Sequence, residues 1–424
     1  MPDLSVMNQD WTDGVGSRSK PERFLGQSYN ELWRDFVKFK ARFLDDKFPP
    51  NESSIGDGLL SDQDLARKMV ADPQLVVSGE SRFDLAQGEL GNCWFLAAIG
   101  AITFQPEIMD QVIPEGQSFK TNYAGIFHFR VWRFGKWVDV VIDDKLPTID
   151  GQLIFVHCKT RNEFWPALLE KAYAKYDLFI QELDNTGATS ANTELPNGIV
   201  EGHAYTVTGV TKVMSDGELV KLVRLLNPWG HKEWKGDWSD RSALWWSVDP
   251  EERTKLLENK ENGEFWMSVE DFCRSFASVD ICCQSPAFLD GSSERSWTTT
   301  RYEGHWDERT AGGSMENKQS FWMNPQYLLK IPVVHSDNTE GRGFNLLLRD
   351  QSVFPAPFFS SRAPVAQTKV LSNSREVMEF LSLKPGVYLV VPFTYKPKET
   401  GAFVLTLYCR YESCESSHLS TAHH

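Results

Sequence analysis

The sequence lacks the features that mark several other classes of protein. It has no basic tract, and Asp and Glu outnumber Lys and Arg by 58 to 44, which gives a net charge of −14. Because nucleic-acid-binding proteins need a basic surface, we expect no nucleic-acid partner. No apolar run reaches the ~18 residues of a membrane-spanning helix. The first eleven residues contain acids and no apolar core of a secretory signal, so we expect a cytoplasmic location.

Cysteines are few and irregularly spaced. The seven cysteines lie at positions 93, 158, 273, 282, 283, 409 and 414, and none forms a C-x-x-C pair. An odd number without regular spacing is typical of reduced thiols, and it argues against a disulfide framework or a zinc site.

One cysteine lies in a distinctive context, the stretch Q-G-E-L-G-N-C-W-F-L-A-A-I-G-A-I-T from Gln87 to Thr103. Two glycines and an asparagine precede Cys93 and an apolar run follows it, so the pattern predicts that Cys93 begins a helix. The partial positive charge at a helix start favours the thiolate, which is the nucleophilic form. Gln87 can join the backbone N–H of Cys93 as a donor to a developing oxyanion. A buried structural cysteine is the alternative interpretation.

Partners for a thiol nucleophile occur further along the chain. His203 opens an alternating run of β-branched and aromatic residues, and Asn227 ends a second run that follows the turn Ser215-Asp216-Gly217. Two antiparallel strands joined in this way would bring His203 and Asn227 side by side. An imidazole can take and return the thiol proton, and an amide can orient that imidazole. Taken singly, His203 fits a structural histidine and Asn227 a strand end; the order Cys, His, Asn favours a catalytic triad.

At these residues the chain resembles the calpains, the cytosolic calcium-dependent cysteine proteases. The similarity extends from about Phe48 to Cys409, and its strongest motifs are Q-G-E-L-G-N-C-W-F-L-A-A, Y-A-G-I-F-H-F, V-V-I-D-D-K-L-P-T, E-F-W-P-A-L-L-E-K-A-Y-A-K, G-H-A-Y-T-V-T-G, N-P-W-G and N-G-E-F-W-M-S. The resemblance implies a papain-like triad of Cys93, His203 and Asn227. It also implies that Gln87 contributes to the oxyanion hole.

The resemblance assigns meaning to two neighbours of the triad. Trp229 matches the family tryptophan that wedges between the two halves of the protease core when calcium is absent. Asn92 stands immediately before the nucleophile, where most members carry an aspartate. This difference is a small change on the active-site loop.

The resemblance further implies two Ca²⁺ sites, built from the oxygen ligands that this cation prefers. The first would use the carboxylates of Asp84 and Glu163 with backbone oxygens near Val77 and Gly79. Judged singly, each acid would be a solvated surface charge.

The second implied Ca²⁺ site follows the N-P-W-G motif. It would use the side chains of Glu233, Asp240 and Glu264 with a loop carbonyl near Lys260. Asn262 stands where the family usually has an aspartate. An amide oxygen can still coordinate, but the lost charge should lower the affinity.

The expected fold class is α+β, with a papain-like two-lobed protease core followed by an antiparallel β-sandwich. A polar leader and an amphipathic helix from Tyr29 to Leu44 would fill residues 1–47. The helical lobe with the cysteine would span 48–177, the β lobe 178–283, the sandwich 284–414 and a tail 415–424. Short strands with Pro-Gly and Thr-Gly turns predict the sandwich, after a linker from Gln284 to Gly313.

The interval between Lys175 and His203 is the main departure from the family. It holds only 27 residues. Calpains carry a longer segment here, by roughly fifty residues, a difference larger than most loops. The chain therefore resembles an isoform that lacks an internal block, and the loss of a strand would expose a sheet edge and remove cleft wall.

Two functions fit these patterns. The leading hypothesis is a calcium-dependent cysteine endopeptidase that makes limited cuts in intracellular proteins, with Ca²⁺ as cofactor and proteins as substrates. The alternative is a catalytically impaired isoform that acts as a calcium-responsive binding or dominant-negative protein. The Cys, His, Asn order favours the first hypothesis, and the shortened interval favours the second.

Two further partners are judged from the second half of the chain. No EF-hand calcium loop occurs, so we expect no small-subunit contact through EF-hands. The acidic loop usual in the family's sandwich is reduced here to Asp337 and Glu340. We therefore expect at most weak phospholipid contact through the sandwich.

Overall fold

The computed structural model divides the chain into two compact units, Trp11–Asp280 and Ile281–His424. The structure describes residues 14–55, 62–65, 69–77, 85–88, 90–133, 136–177, 193–257, 262–277, 279, 298–331, 353–368, 377, 379, 381–409 and 414–419. Across those residues no helix is both long and apolar enough to span a bilayer.

The first unit combines helices with short strands. Its helices are α1 (Tyr29–Lys38), α2 (Glu52–Ile55), α3 (Cys93–Ile102), α4 (Pro106–Val112), α5 (Trp165–Tyr176), α6 (Pro250–Leu256) and α7 (Val269–Ser275). Its strands are β1 (Glu22–Arg23), β2 (Asp62–Leu65), β3 (Leu85–Ala86), β4 (Ile126–Arg133), β5 (Lys136–Asp143), β6 (Lys145–Ile149), β7 (Gln152–Leu153), β8 (His157–Cys158), β9 (Thr206–Ser215), β10 (Glu218–Leu226) and β11 (Glu264–Ser268).

The main hydrophobic core lies between helices α3 and α5 and the sheet β1-β5-β4. Strands β4 and β5 are antiparallel, and β1 pairs with β5 in parallel. Helix α5 is buried at every residue except Tyr173. A helix that is buried on all sides lies at the centre of a domain, so α5 supports the elements around it.

Residues 14–47 contribute to the first unit rather than forming a separate leader. The ammonium of Lys175, which is fully buried, donates to Asp45 at 2.6 Å and to Gln27 at 2.5 Å. A buried cation needs such partners, because an unpaired charge in the interior is costly. Together with the pairing of β1 to β5, these bonds make the described part of residues 1–47 a component of the first unit.

Helix α1 ends earlier than the sequence predicts. We predicted an end at Leu44, but the helix ends at Lys38. Lys40 has φ +51°, a left-handed conformation that an α-helix cannot continue. Phe39 is 71% exposed, while Phe43 reaches the core from beyond the helix.

The predicted hairpin is confirmed as strands β9 and β10. They pair antiparallel from Ser215 and Glu218 back to Thr206 and Leu226, and β11 adds to the other side of β10. The two turn residues between the strands, Asp216 and Gly217, both have positive φ, as the favoured two-residue hairpin turns require.

One hydrogen bond joins the start of β9 to helix α3. The hydroxyl of Thr206 donates to the carbonyl of Ala97 at 2.8 Å. Gly100 lies beside the same hydroxyl, and a Cβ there would be 3.4 Å from it. This contact brings the residues that precede β9 close to the first turn of α3.

The second unit contains two antiparallel sheets, so the predicted α+β fold class is confirmed for the whole chain. Its elements are β12 (Thr298–Trp306), β13 (Gln326–Ile331), α8 (Ala356–Ser360), β14 (Gly386–Val390), β15 (Gly401–Cys409) and β16 (Glu415–Leu419). The sheets are β12-β15 and β14-β13-β16. Tyr302 of the first sheet contacts Tyr327 of the second with ring centroids 4.8 Å apart, and its hydroxyl donates to Ser416 at 2.8 Å.

Two segments of this unit differ from the prediction. The interval from Gln284 to Gly313 was predicted as a linker, but it contains β12, which pairs with all of β15. The residues after Cys414 were predicted as a tail, but β16 pairs with β13. Polar residues dominate both strands, so their composition hid the pairing.

Candidate active site

Cys93 is the first residue of α3, as the glycines and the following apolar run predict. Its side chain is 9% exposed, and the preceding Asn92 is fully buried. The backbone N–H groups of a first helical turn have no acceptor within the helix. The position therefore combines a sheltered sulfur with the partial positive charge of a helix N-terminus.

His203 and Asn227 flank the hairpin and meet at its open end. His203 lies three residues before β9, and Asn227 directly follows β10. The imidazole Nε2 lies 2.8 Å from Oδ1 of Asn227. The amide nitrogen of Asn227 donates to the carbonyls of His231 and Lys232 at 2.8 and 3.1 Å.

This network determines the tautomer of His203. Because the amide nitrogen of Asn227 faces two carbonyls, its oxygen must face the imidazole, and Nε2 must carry the proton. The other ring nitrogen, Nδ1, then has a lone pair, and it has no hydrogen-bond partner among the described residues. An imidazole in this state can accept a proton at Nδ1.

The sulfur of Cys93 lies against the residue that follows His203. The backbone N–H of Ala204 donates to Sγ at 3.4 Å. Burial lowers the pKa of His203 to about 4, against the opposing effect of the Asn227 hydrogen bond. The imidazole is therefore neutral near pH 7, which is the form that a general base needs.

Gln87 is engaged on both sides of its side-chain amide. Its nitrogen donates to the carbonyl of Leu90 at 2.5 Å, and its oxygen accepts from the indole N–H of Trp229 at 2.6 Å. The Trp229 ring also covers the imidazole of His203, with centroids 4.1 Å apart. In this arrangement the predicted oxyanion donor is bound to protein groups.

Three residues after His203 contribute to the site although the sequence reasoning did not single them out. Ala204 contacts the sulfur, and Thr206 ties the strand to α3. Tyr205 packs edge-on against the imidazole at 5.1 Å, and its hydroxyl accepts from the N–H of Val200 at 2.9 Å. Burial raises the pKa of Tyr205 to about 12, so the phenol is neutral. The motif G-H-A-Y-T contained this signal, because residues next to His203 in the chain share its surroundings.

The first predicted calcium set is only partly within the described residues. Gly79 and Asp84 lie outside them. Glu163 is 2% exposed, and its carboxylate accepts from the N–H of Val77 at 2.9 Å and from the thiol of Cys158 at 3.1 Å. The structure thus brings Val77 and Glu163 together.

The second predicted set centres on one loop contact. One oxygen of Glu233 accepts from the backbone N–H groups of Asn262 and Gly263 at 2.9 and 2.8 Å. The side-chain oxygen of Asn262 accepts from the N–H of Glu264 at 2.9 Å. Asp240 is half-buried in a turn seven residues after Glu233. The structure therefore links Glu233, Asn262 and Glu264 through backbone bonds.

Comparison with known protein families accounts for this geometry. The family model described as calpain family cysteine protease matches residues 43–190 and 177–283. A second, described as calpain large subunit, domain III, matches residues 302–352 and 343–408. The chain belongs to the calpain family. Its first unit carries the family's protease core, and its second unit carries domain III.

Individual calpains align with most of the chain. The calpain-1 catalytic subunit of Mus musculus is 37% identical and covers 93% of this chain and 68% of its own length. The calpain-2 catalytic subunit of Mus musculus is 35% identical, with coverages of 95% and 70%. The calpain-1 catalytic subunit of Homo sapiens is 36% identical, with coverages of 93% and 68%.

The protease match is divided within the shortened interval. Its two segments meet at residues 177–190, between Lys175 and His203. This is the interval that is shorter than in other calpains by roughly fifty residues. The predicted site residues are divided between the two segments, with Gln87 and Cys93 in the first and His203 and Asn227 in the second.

The metal-binding capacity of this calpain-family chain is judged by its donor atoms. In the parts of the chain that the structure describes, no three His, Cys, Asp or Glu side chains form a metal-binding group. The second predicted set nevertheless supplies carboxylate and amide oxygens, the ligand types that suit a hard cation. The residues of the second predicted set therefore suit Ca²⁺ by the chemical type of their oxygen atoms.

Proposed function

We propose that this chain is a calcium-dependent cysteine endopeptidase that cuts intracellular proteins at a limited number of sites. One observation carries the proposal. The Nε2–H of His203 is committed to Asn227, which leaves Nδ1 as a lone-pair acceptor, and the backbone N–H of the next residue, Ala204, donates to the sulfur of Cys93. A protonated Nε2, an open Nδ1 and an adjacent thiol are what proton transfer from Cys93 to His203 requires.

The residues then have defined roles in peptide hydrolysis. His203 takes the proton of the Cys93 thiol, and the thiolate adds to the scissile carbonyl to form a tetrahedral oxyanion. On collapse, the C–N bond breaks and His203 returns the proton to the leaving amine, which leaves a thioester. His203 next deprotonates a water molecule that displaces Cys93. Asn227 holds the imidazole in one orientation throughout.

Gln87 must change its contacts before it can serve as an oxyanion donor. Its amide nitrogen is bonded to Leu90, and its oxygen is held by Trp229. An oxyanion donor has to point at the position where the charge develops. We infer that the arrangement described here is a restrained one, and that activity requires Trp229 to withdraw from Gln87 and His203.

Calcium is the proposed trigger for that change. When bound, the cation supplies a positive charge that draws acidic loops together. Glu163, Val77, Gly79 and Asp84 would hold one ion, and Glu233, Asp240, Asn262 and Glu264 would hold another. Because Glu233 lies four residues after Trp229, a change in its contacts is transmitted directly to the loop that holds the tryptophan.

The second candidate is a catalytically impaired calpain-like protein that binds in response to calcium or acts as a dominant negative. It is favoured by the bonds that occupy Gln87 and by the shortened interval before His203. Under this hypothesis the residues stay assembled but the oxyanion site never opens.

Casein cleavage separates the two candidates. The purified chain is incubated with casein in calcium or in chelator, beside Cys93→Ser. The peptidase proposal expects fragments only with calcium and only with Cys93. Calcium-dependent binding of casein without fragments would support the second candidate, and cleavage in chelator would contradict the calcium requirement.

The remaining expectations about partners form part of the same proposal. We propose a cytoplasmic protein with protein substrates, weak phospholipid contact through the second unit, and no nucleic-acid partner. We also propose no small-subunit contact through EF-hands. Vesicle sedimentation with anionic and neutral phospholipid tests the lipid contact, which should be weak and limited to anionic vesicles.

A further inference from the structure

Asn92 occupies the N-cap position of α3, yet its side chain does not cap the helix. An asparagine at this position normally accepts a hydrogen bond from a backbone N–H of the first turn. No such bond exists here. Instead the side chain turns into the core, where its amide nitrogen donates to Oε1 of Glu170 at 2.5 Å. Because Asn92 is fully buried, this contact is shielded from water.

Glu170 holds a second element with its other oxygen. Oε2 accepts from the backbone N–H of Val156 at 2.9 Å. Glu170 lies in the middle of α5 and is 3% exposed. One carboxyl group therefore bonds both to the residue before the nucleophile and to the backbone just before β8.

The backbone that Glu170 holds is the support of the Gln87 loop. Strand β3, which ends one residue before Gln87, pairs with β8 through Ala86 and His157. Gly88 packs so closely on this backbone that a Cβ would collide with the carbonyl of Ile154 and the Cα of Phe155. The position of the Gln87 loop relative to the core therefore depends on residues 154–158, which the bond from Val156 to Glu170 anchors.

We propose that Glu170 is a positioning residue of the active site, and that its two oxygens set the distance between the Cys93 helix and the Gln87 loop. Glu170 touches no substrate, so it acts through Asn92 and Val156. The proposal rests on the proposed function, because that function gives Cys93 and Gln87 their roles. The bonding pattern itself does not depend on whether the chain hydrolyses peptides.

The environment of Glu170 supports a role beyond simple packing. Burial raises the pKa of Glu170 to about 8, although the bonds from Val156 and Asn92 oppose this shift. Burying a carboxyl group costs folding free energy unless hydrogen bonds compensate for the lost water. The two bonds to Glu170 supply this compensation. Oδ1 of Asn92 has no hydrogen-bond partner among the described residues, so Asn92 can turn its amide to match a neutral partner.

Two substitutions of Glu170 separate positioning from packing. Glu170→Gln keeps both bonds, because its oxygen accepts from Val156 while its amide donates to the turned Asn92. Glu170→Met keeps the volume and removes both bonds. Leu168→Ala is the matched control, because it removes core volume from the same helix and touches neither bond.

The first readout is the second-order rate at which iodoacetamide alkylates Cys93, followed by peptide mass spectrometry at 25 °C. The second is kcat and KM on a casein-derived peptide with calcium. We expect Glu170→Met to slow alkylation about tenfold and to lower kcat by about a hundredfold with KM unchanged, since an error near 1 Å has that cost. Glu170→Gln and Leu168→Ala should stay within about threefold of the unsubstituted chain. Equal rates for Glu170→Met and Leu168→Ala would overturn the proposal.

A second position tests the proposal if Glu170→Met does not fold. Asn92→Leu removes the bond to Oε1 of Glu170 with a side chain of similar size, while Val156 keeps its bond to Oε2. Asn92→Asp keeps a bond to Glu170, because two carboxyl groups in contact share one proton. We expect slow alkylation in Asn92→Leu and little change in Asn92→Asp; equal rates in these two variants would reject the role of the bond. Because alkylation needs no hydrolysis, a chain that fails to cut casein still gives a result here.

Discussion

The two sides of the candidate site differ in how their hydrogen bonds are used. On the hairpin side, Asn227 has its oxygen bonded to His203 and to the N–H of Trp229, and its nitrogen bonded to two carbonyls. Under the proposed function, this is the arrangement that proton transfer to His203 needs. On the helix side, the amide of Gln87 is bonded to Leu90 and Trp229 instead of facing a reacting carbonyl.

Under the proposed function, the difference indicates where activity would be controlled. The folded hairpin presets His203 and Asn227, the proposed base and its orienting amide, whereas Trp229 restrains Gln87, the proposed oxyanion donor. Trp229 is the connection, because it touches both Gln87 and His203. A regulator therefore needs to move one indole rather than rebuild the whole site.

The largest effect should come from the preset side. His203→Ala removes the proton acceptor for Cys93, so calcium-dependent casein cleavage should fall by about 10⁴- to 10⁶-fold, the range seen when a triad member is lost. The control is His305→Ala, because His305 is exposed and lies in the second unit. Comparable loss in both variants would mean that general unfolding, rather than chemistry, explains the result.

A smaller loss is expected on the restrained side. Gln87→Ala removes one oxyanion donor, and such a loss lowers kcat by about 10²- to 10³-fold. KM should change little, because the donor acts on the transition state. Steady-state kinetics on a peptide substrate measure kcat and KM for Gln87→Ala and for the unsubstituted chain. A kcat within about threefold of the unsubstituted value would remove Gln87 from the oxyanion hole.

Features set by local patterns could be predicted from the sequence. The glycines before Cys93 and the apolar run after it identify the start of α3, and the alternating runs with Asp216-Gly217 between them identify the β9-β10 hairpin. Each of these depends on neighbours in the chain, through backbone geometry and side-chain periodicity.

Contacts between distant residues could not be predicted in the same way. The bond from Trp229 to Gln87 spans 142 residues, and the bond from Asn92 to Glu170 spans 78. Both depend on how α3, α5 and the hairpin pack, and no local pattern encodes that packing. The predicted end of α1 was wrong for a similar reason. Burial of Phe43 in the core outweighed the helical periodicity of the sequence.

Acid pH should lower the stability of the folded chain through protonation of His203. Its pKa is about 4 in the folded chain, below its ordinary value of 6.5, so the folded state prefers the neutral imidazole. The stabilisation is complete above pH 6.5 and is lost as the pH falls towards 4, with a total of roughly 3 kcal/mol.

Urea unfolding at pH 7.5 and 4.5 measures this loss. The free energy of unfolding should fall more for the unsubstituted chain than for His203→Ala, which lacks the titrating group. The difference between the two chains isolates His203 from the carboxylates that also titrate in this range. An identical pH dependence in both would show that the imidazole titrates normally in the folded state.

The smallest effect should come from removing the hydrogen bond between Trp229 and Gln87. Trp229→Phe keeps an aromatic ring over His203 but removes the indole N–H that binds Gln87. One hydrogen bond is worth about 0.5–1.5 kcal/mol, so the calcium concentration for half-maximal casein cleavage should fall by about two- to tenfold. Trp246→Phe is the control, because Trp246 is 77% exposed and its ring faces Arg253. A calcium requirement that stays the same or rises in Trp229→Phe would mean that the Gln87 bond is a consequence of the closed arrangement and does not hold it in place.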